Sequence, residues 1–223
     1  MTSSNQVPLV VLFGGGVEST SLVKRFLVEG KSVWPVHVSW GLQWEESERR
    51  HARRFCHASA CDRLTPLLEV RYTPQDVMKD HWAVTGRNIP RAGDPSGCLE
   101  IPMRNVTLLL TVAARVAHLP ELRLVMGTTA DNHFRDGTRE FFDACERLLS
   151  LEFGRPVRVL TPLLHADKVQ VIRHADRDAL ALSFSCLGPR NDRHCGVCYK
   201  CGRRQEAFRL AGVEDPTTYA TSA

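Results

Sequence analysis

The sequence predicts an α/β fold, a doubly wound and mostly parallel sheet over residues 1–182 with a cysteine-bearing segment at 183–223. Three observations carry that expectation. Apolar runs of strand length alternate with stretches of helical period, a pattern that pairs strands in parallel and covers both sheet faces with crossover helices. A glycine run, Gly14, Gly15 and Gly16, separates the first apolar run from the first amphipathic stretch. Four of the eight cysteines, Cys186, Cys195, Cys198 and Cys201, crowd near the C-terminus.

PLVVLF (8–13) reads as a buried strand, and Leu22, Val23, Phe26 and Leu27 mark one face of a helix over 19–29. SVWPVHV (32–38) is the second strand, followed by the charged EESERRHARRF (45–55) as a solvated helix. LLEV (67–70) is a third strand. PQDVMKDHW begins a helix with Pro74 at its first position, and residues 83–100 form a loop rich in Gly, Pro and Arg. Pro102 opens an apolar helix reaching about His118, and LRLVMG (122–127) is another buried strand ending in the polar loop TTADNHFRDG (128–137). Thr138 caps the helix REFFDACERLL. Ligands of such sheets bind beyond the carboxyl ends of the strands. The loops 14–20, 39–44 and 128–137 are therefore expected to converge.

Composition narrows the function classes. With 43% hydrophobic and 24% charged residues the chain is neither disordered nor fibrous. No run approaches the roughly twenty apolar residues of a membrane helix. The opening MTSSNQVPLVVLF has no basic residue before a short apolar run, unlike a secretory leader. A cytoplasmic protein with reduced cysteines is expected. A net charge of +4 suits anionic small molecules and does not indicate nucleic acid. Arg49, Arg50, Arg53 and Arg54 read as a solvated helix face rather than an RNA-binding stripe.

In FGGGVESTS (13–21) the glycines allow a tight turn that presents backbone amides to an anion. The following helix adds its N-terminal dipole and the hydroxyls of Ser19, Thr20 and Ser21, so phosphate is the natural guest. The lysine of a Walker loop and the third glycine of a dinucleotide fingerprint are both absent. An ordinary glycine turn capped by Ser19 fits the same residues. The cysteines are more specific. Cx8CxxCxxC supplies four thiolates, a closed tetrahedral set for zinc, whereas a redox CxxC leaves two cysteines unexplained. Such an ion staples residues 183–223 to the sheet. Cys56, Cys61, Cys98 and Cys145 read as small hydrophobes or inert thiols.

Taken in order, these motifs resemble the 7-cyano-7-deazaguanine synthase (QueC) family, within the PP-loop or N-type ATP pyrophosphatases of adenine nucleotide alpha hydrolase-like fold. The family's SGGxDST loop falls on Gly14, Gly15, Gly16, Val17, Glu18, Ser19 and Thr20, and its aromatic-glycine turn on Trp40 and Gly41. PxRN is matched at Pro102, Met103, Arg104 and Asn105, and the acidic loop at Asp131, Asp136, Glu140 and Phe141. TPL stands at 161–163, Lys168 fits the lysine that follows it, and the ending CGxCxxCxxRxxAF keeps Arg204, Ala207 and Phe208. Gly14 replaces a serine, Glu18 an aspartate and Ser39 an aspartate of the family pattern.

The resemblance implies ATP, Mg²⁺ and Zn²⁺ as cofactors. The nucleotide falls to the loop 14–20 with Val38 and Asn105. Arg104 and Lys168 neutralise phosphate charge, and Asp131 and Asp136 hold a metal or the amino edge of the substrate. The implied reaction adenylates a carboxylate, 7-carboxy-7-deazaguanine or a relative, with release of pyrophosphate, then admits ammonia or another amine, giving the amide and the nitrile. A homodimer is compatible with it. Two other readings stand beside it: a paralogue conjugating a related acid to another amine or a protein acceptor, and a zinc-bearing nucleotide-binding regulator without turnover. From the residues alone, Asn105 also serves as a helix cap, Arg104 as a partner of Glu100, Asp136 as a turn residue and Lys168 as a solvated side chain.

Overall fold

Five strands, β1 (Leu9–Leu12), β2 (Val33–Ser39), β3 (Leu68–Arg71), β4 (Leu122–Val125) and β5 (Val157–Leu160), pair in parallel in the order β3-β2-β1-β4-β5. They belong to a computed structural model that describes residues 6–73 and 75–220, so the expected helix start at Pro74 lies outside the described residues. The strand order reverses between β1 and β4, which opens a crevice at the carboxyl ends of those two strands.

Alternation along the strands sorts the core into two layers. Leu9, Val11 and Phe13 face one layer with Val33 and Val125, while Val10 joins Val36, Leu122, Leu124, Val157 and Val159 in the other. The first layer is covered by α1 (Val17–Val28), α2 (Glu45–Ala58), α7 (Lys168–His174), α8 (Arg177–Leu182) and α9 (Tyr199–Ala211). Leu22, Val23, Phe26 and Leu27 are all buried there, as their spacing requires. The second layer is covered by α5 (Arg104–Arg115) and α6 (Arg139–Phe153). Leu109, Val112, Ala113 and Val116 present α5 to it at helical intervals. Among the described residues no helix is long and apolar enough to cross a membrane.

Several elements depart from the sequence-based expectation. The stretch after residue 74 forms two separate turns, α3 (Gln75–Met78) and α4 (Trp82–Thr85). Helix α5 begins at Arg104 because Met103 takes a left-handed conformation, φ 64°, at its N-cap. Helix α2 is not solvated all round: Glu45, Ser47, Glu48, Ala52 and Phe55 are buried. Its arginines do face solvent, where Arg49 and Arg50 pair with Glu46 and Arg53 with Glu69. Thr138 caps α6 as expected, its hydroxyl accepting from the Phe141 amide at 3.2 Å. The parallel edge strand β5 has no counterpart among the strands expected from the sequence.

The C-terminal segment packs on both the sheet layer and the cleft. Ala207 and Phe208 of α9 enter the first layer, whereas the four cysteines join Trp40, Trp44 and Phe184 in a third cluster. Arg204, 1% exposed, donates to Ser183 Oγ at 2.9 Å, the Leu180 carbonyl at 3.1 Å and Thr217 Oγ1 at 2.6 Å. Asp215, 3.4 Å away, balances its charge. One buried guanidinium thus ties α8, α9 and the tail together through acceptors on each of them.

Candidate functional site

The crevice at the switch point widens into a cleft of about 790 Å³, and the three loops expected to converge do so along its walls. Gly14, Gly16, Glu18 and Ser19 form one wall; Trp40, Leu42 and Trp44 form another; Thr128, Thr129, Asp131 to Phe134 and Asp136 contribute the third. Val38, Arg104, Asn105, Asp131, Asp136 and Lys168 also line it. Ten of the sequence-chosen residues therefore meet in one cavity, counting Gly14, Gly16, Glu18 and Ser19 with these six.

Gly15, Val17 and Thr20 are not in the cleft wall. Val17 and Thr20 are fully buried, and the Thr20 hydroxyl donates back to the Gly16 carbonyl at 3.0 Å and the Val17 carbonyl at 3.1 Å. Ser21 likewise bonds back to Val17 at 2.6 Å. The Ser19 hydroxyl also donates to the Gly16 carbonyl, at 3.2 Å, so all three hydroxyls expected from the sequence to be phosphate donors are engaged inside α1 instead. Ser19 does not cap the helix either; Gly16 is the N-cap and among the described residues no side chain caps it. A helix start without a side-chain cap of this kind can bind an anion through its backbone amides. Gly15 lies at φ +69°, a conformation that strains any residue with a Cβ. A Cβ at Gly127 would stand 3.1 Å from Glu18 Cβ, so glycine there lets the first turn of α1 approach the end of β4. At Gly14 a Cβ would meet nothing within 4 Å, and nothing steric explains the missing serine.

The charged residues are paired across the cleft. Lys168, at the start of α7, reaches Glu18 Oε1 at 2.5 Å, with the two side chains 20% and 18% exposed. Burial opposes the charge on Glu18, but the Lys168 ammonium outweighs it and holds the carboxyl below its ordinary range. Arg203 binds Asp131 Oδ2 at 3.1 Å, while Asp131 Oδ1 is buried without a hydrogen-bond partner among the described residues. Burial raises the Asp131 pKa, and nearby Thr129 with Lys168 and Arg203 brings it down on balance. Asn105 donates from Nδ2 to the Asp136 carbonyl at 3.0 Å, which joins α5 to the acidic loop in place of a cap. Burial pushes the Asp136 carboxyl up, although Arg104 nearby favours its charge.

Residues with little sequence signal complete the site. Glu45, 8% exposed, accepts from the Trp40 amide and, at 2.8 Å, from the Gly41 amide, and so shapes the aromatic-glycine turn. Burial pushes its pKa up to about 7, with the charge of Glu48 adding to the effect and the two amides opposing it. Because this folded-state value lies above the ordinary one of 4.5, the stability it confers is complete below that pH and is lost as pH rises through about 7. Melting temperatures of Glu45→Gln across that window should show a flatter decline than the wild type; parallel curves would exclude Glu45 as the titrating group. Lys200 and Arg203 stand three residues apart on the cleft face of α9. Their only sequence signal is a basic pair spaced for one helix face, amid and just after the last cysteines.

The four cysteines lie behind this face. Their sulfurs all fall within 4.8 Å of one another, and all four residues are buried. Sγ to Sγ separations of 4.0 Å for Cys186 and Cys198 and 3.9 Å for Cys195 and Cys201 are far from a disulfide bond. They match the edge of about 3.8 Å that a tetrahedron with metal–sulfur bonds of about 2.3 Å requires. The amides of Cys195, Leu187 and Cys198 donate to the sulfurs of Cys186, Cys198 and Cys195 at 3.3, 3.4 and 3.4 Å. Amides aimed at sulfur favour thiolates, so the cluster fits a metal ion. His194 stands outside the four-sulfur group, and its Nε2 accepts from the Ser185 amide at 2.9 Å.

The chain is similar to known proteins along nearly its whole length. The model of the family described as queuosine biosynthesis protein QueC matches residues 8–212. A 7-cyano-7-deazaguanine synthase of Methanothrix thermoacetophila is 31% identical over 226 residues, covering 94% of this chain and 97% of the relative. The synthase of Methanopyrus kandleri is also 31% identical with the same coverage, and that of Chlorobium luteolum is 29% identical over 94% of this chain and 95% of its own. Among solved structures, an NMN synthetase from Francisella tularensis superposes with a TM-score of 0.46 at 12% identity, over 94% of this chain and 79% of that one. With its family pattern running from the glycine loop through the cysteine cluster, the chain belongs to the QueC family.

Proposed function

We propose that the protein is an ATP-dependent, carboxylate-activating ligase that converts 7-carboxy-7-deazaguanine with ammonia to the amide and then to 7-cyano-7-deazaguanine. The observation that supports this most is the Lys168–Glu18 pair at the first turn of α1, which puts a fixed cation beside an amide-lined anion site in one cleft with Arg104 and Asp131. Pyrophosphate leaving from ATP is the anion that such a site accommodates.

In this reading the free amides of α1 and the Gly14–Gly16 turn hold the β- and γ-phosphates, and Val38 lines the seat of the base. The acid's carboxylate oxygen attacks the α-phosphorus; the bond to pyrophosphate breaks, and Lys168 and Arg104 offset the growing negative charge. Ammonia then attacks the acyl carbon, AMP leaves, and the amide forms. A second ATP activates the amide oxygen in the same way, and loss of AMP and protons leaves the nitrile. Mg²⁺ would supply charge neutralisation at the phosphates, and the unpartnered Asp131 Oδ1 with Glu18 are the residues placed to hold it. The cysteine cluster holds Zn²⁺ as a structural ion, so the segment from Phe184 to Arg203 acts as a metal-stapled wall of the cleft. Incubation with ATP, Mg²⁺, ammonia and the acid, followed by mass spectrometry, should reveal the nitrile with AMP and pyrophosphate formed in proportion. Pyrophosphate release that does not depend on the acid would sink the assignment.

A further inference from the structure

Between His81 and Ile101 the chain leaves the sheet in one long excursion that apolar packing alone does not hold. Both of its ends line the cleft, at Trp82 and at Leu99, Glu100 and Ile101. His81 ties them together, its Nδ1 accepting from the Ala83 amide at 3.2 Å and its Nε2 donating to the Glu100 carbonyl at 3.2 Å. The middle buries little, since every residue from Arg91 to Cys98 is exposed. It is fastened to the cysteine segment instead. The Ala92 amide donates to the Val197 carbonyl at 3.2 Å and the Tyr199 amide to the Pro90 carbonyl at 2.8 Å, an antiparallel bridge between Arg91 and Cys198. Gln43 adds a second fastening: its amide donates to the Ala83 carbonyl at 2.9 Å, and its Nε2 to the Leu187 carbonyl at 2.6 Å. Its Oε1 also fills the space beside Gly86, where a Cβ would stand 3.2 Å away.

Gly202 lies inside α9, where glycine is less favourable than alanine. A Cβ there would stand 2.6 Å from Ala92 Cβ and 3.4 Å from Ala92 Cα. The first distance is well inside the roughly 3.5–4.0 Å at which carbon atoms touch. The side chain missing from α9 is therefore the space that Ala92 occupies. We propose that residues 82–101 are a strap closed over the cleft by the cysteine segment, with Gly202 and Gln43 as the positioning residues that seat it. The ion held by the four sulfurs then governs more than the fold of its own segment. Through 197–199 it also fixes a wall of the cleft built from a stretch that supplies no ligand. The strap can release while α9 stays folded, because two backbone hydrogen bonds and one methyl-sized gap make up its contact with that helix and the bridge before it. This goes beyond the ligase reading and holds whichever acid the cleft takes.

Hydrogen exchange on protein of measured metal content tests the strap. Helix propensity alone predicts that Gly202→Ala tightens α9. The strap predicts that this variant keeps its metal while amides across 86–100 exchange about tenfold faster, the loss expected for one or two net hydrogen bonds. Adding Ala92→Gly to Gly202→Ala removes the clashing methyl, leaves the 3.4 Å approach to Cα, and should return exchange to within about threefold of wild type. Acrylamide quenching of tryptophan should rise and fall in step, because Trp82 of the strap stacks on the buried Trp44 at 5.6 Å. Gln43→Ala, which leaves α9 untouched, should also speed exchange and carries the test if Gly202→Ala does not fold. Chelation of the wild type should free the strap together with 184–212. Wild-type exchange across 86–100 in both single variants overturns the proposal, as does a strap that stays protected without metal. Faster exchange that Ala92→Gly does not rescue, or that leaves quenching unchanged, overturns it as well. Loss of metal from Gly202→Ala assigns the glycine to the ion instead of the strap and counts against it equally.

Discussion

Replacing Cys198 with serine, or removing the metal with a chelator, should unfold the C-terminal segment and abolish turnover. Cys198 does three things at once. It is one of four sulfurs within 4.8 Å, its own amide donates to Cys195, and it is the N-cap from which α9 starts. Structural zinc contributes on the order of 10 kcal/mol to the folding of a four-thiolate element, comparable with the roughly 5–15 kcal/mol that hold a whole domain together. Losing it should therefore not stay local. Arg204 is held in its buried site by partners on α8 and the tail, and Phe208 and Ala207 fill the first core layer. Once α9 is released, these contacts go, and Lys200 and Arg203 leave the cleft. Elemental analysis should find about one metal ion per wild-type chain, and hydrogen exchange should show protection lost across residues 184–212 in Cys198→Ser. A variant that retains metal and melts with the wild type would contradict the structural role.

The second large effect is expected at Lys168. Lys168→Met should reduce kcat/KM about 100- to 1000-fold, the usual cost of removing one preorganised charge from a transition state. It also leaves Glu18 without its counter-charge. Glu18 has a lowered pKa in the wild type, so its contribution to stability is present above the ordinary value of 4.5 and is lost as pH falls through the lower folded value. In Lys168→Met the burial that otherwise opposes its charge prevails, and the carboxyl takes up a proton at higher pH than in the wild type. The variant should accordingly be destabilised by about 1–3 kcal/mol at neutral pH, as for a carboxylate deprived of its hydrogen-bonded partner. Thermal melts between pH 3 and 8, a range of about five units around the ordinary carboxylate value, separate this from a purely catalytic role. A variant with unchanged pH dependence of melting but low activity would mean that Lys168 meets only the substrate. Lys168→Arg, which keeps the charge, should recover most of the stability and only part of the rate, because the guanidinium has a different reach.

Much of this architecture is legible in the sequence because its signals are local. The spacing of Leu22, Val23, Phe26 and Leu27 is a property of one helix, and it marks the face that α1 buries in the first layer. Thr138 identifies the start of α6 because a cap bonds within three residues. Cx8CxxCxxC is readable because the four sulfurs that gather within 4.8 Å come from a short stretch, as in a metal-binding knuckle. The edge strand β5 escapes such reading for the opposite reason: VRVL has four residues, lies between Pro156 and Thr161, and becomes a strand only through pairing with β4. The charges of helix α2 suggest full solvation, yet Glu45 turns inward to bind two amides of the preceding loop.

By itself, then, the sequence determined the class of fold, the glycine turn at the start of α1 and the cysteine cluster, each written in residues a few positions apart. Only the tertiary structure decided that the hydroxyls of Ser19, Thr20 and Ser21 bond back within α1, that Lys168 closes on Glu18 across 150 positions of sequence, and that α9 delivers Lys200 and Arg203 to the same cavity. The physical reason is one of range. Turns, caps and CxxC bites are set by backbone geometry within a turn or two, whereas charge pairing and burial depend on which surfaces the packed sheet brings together.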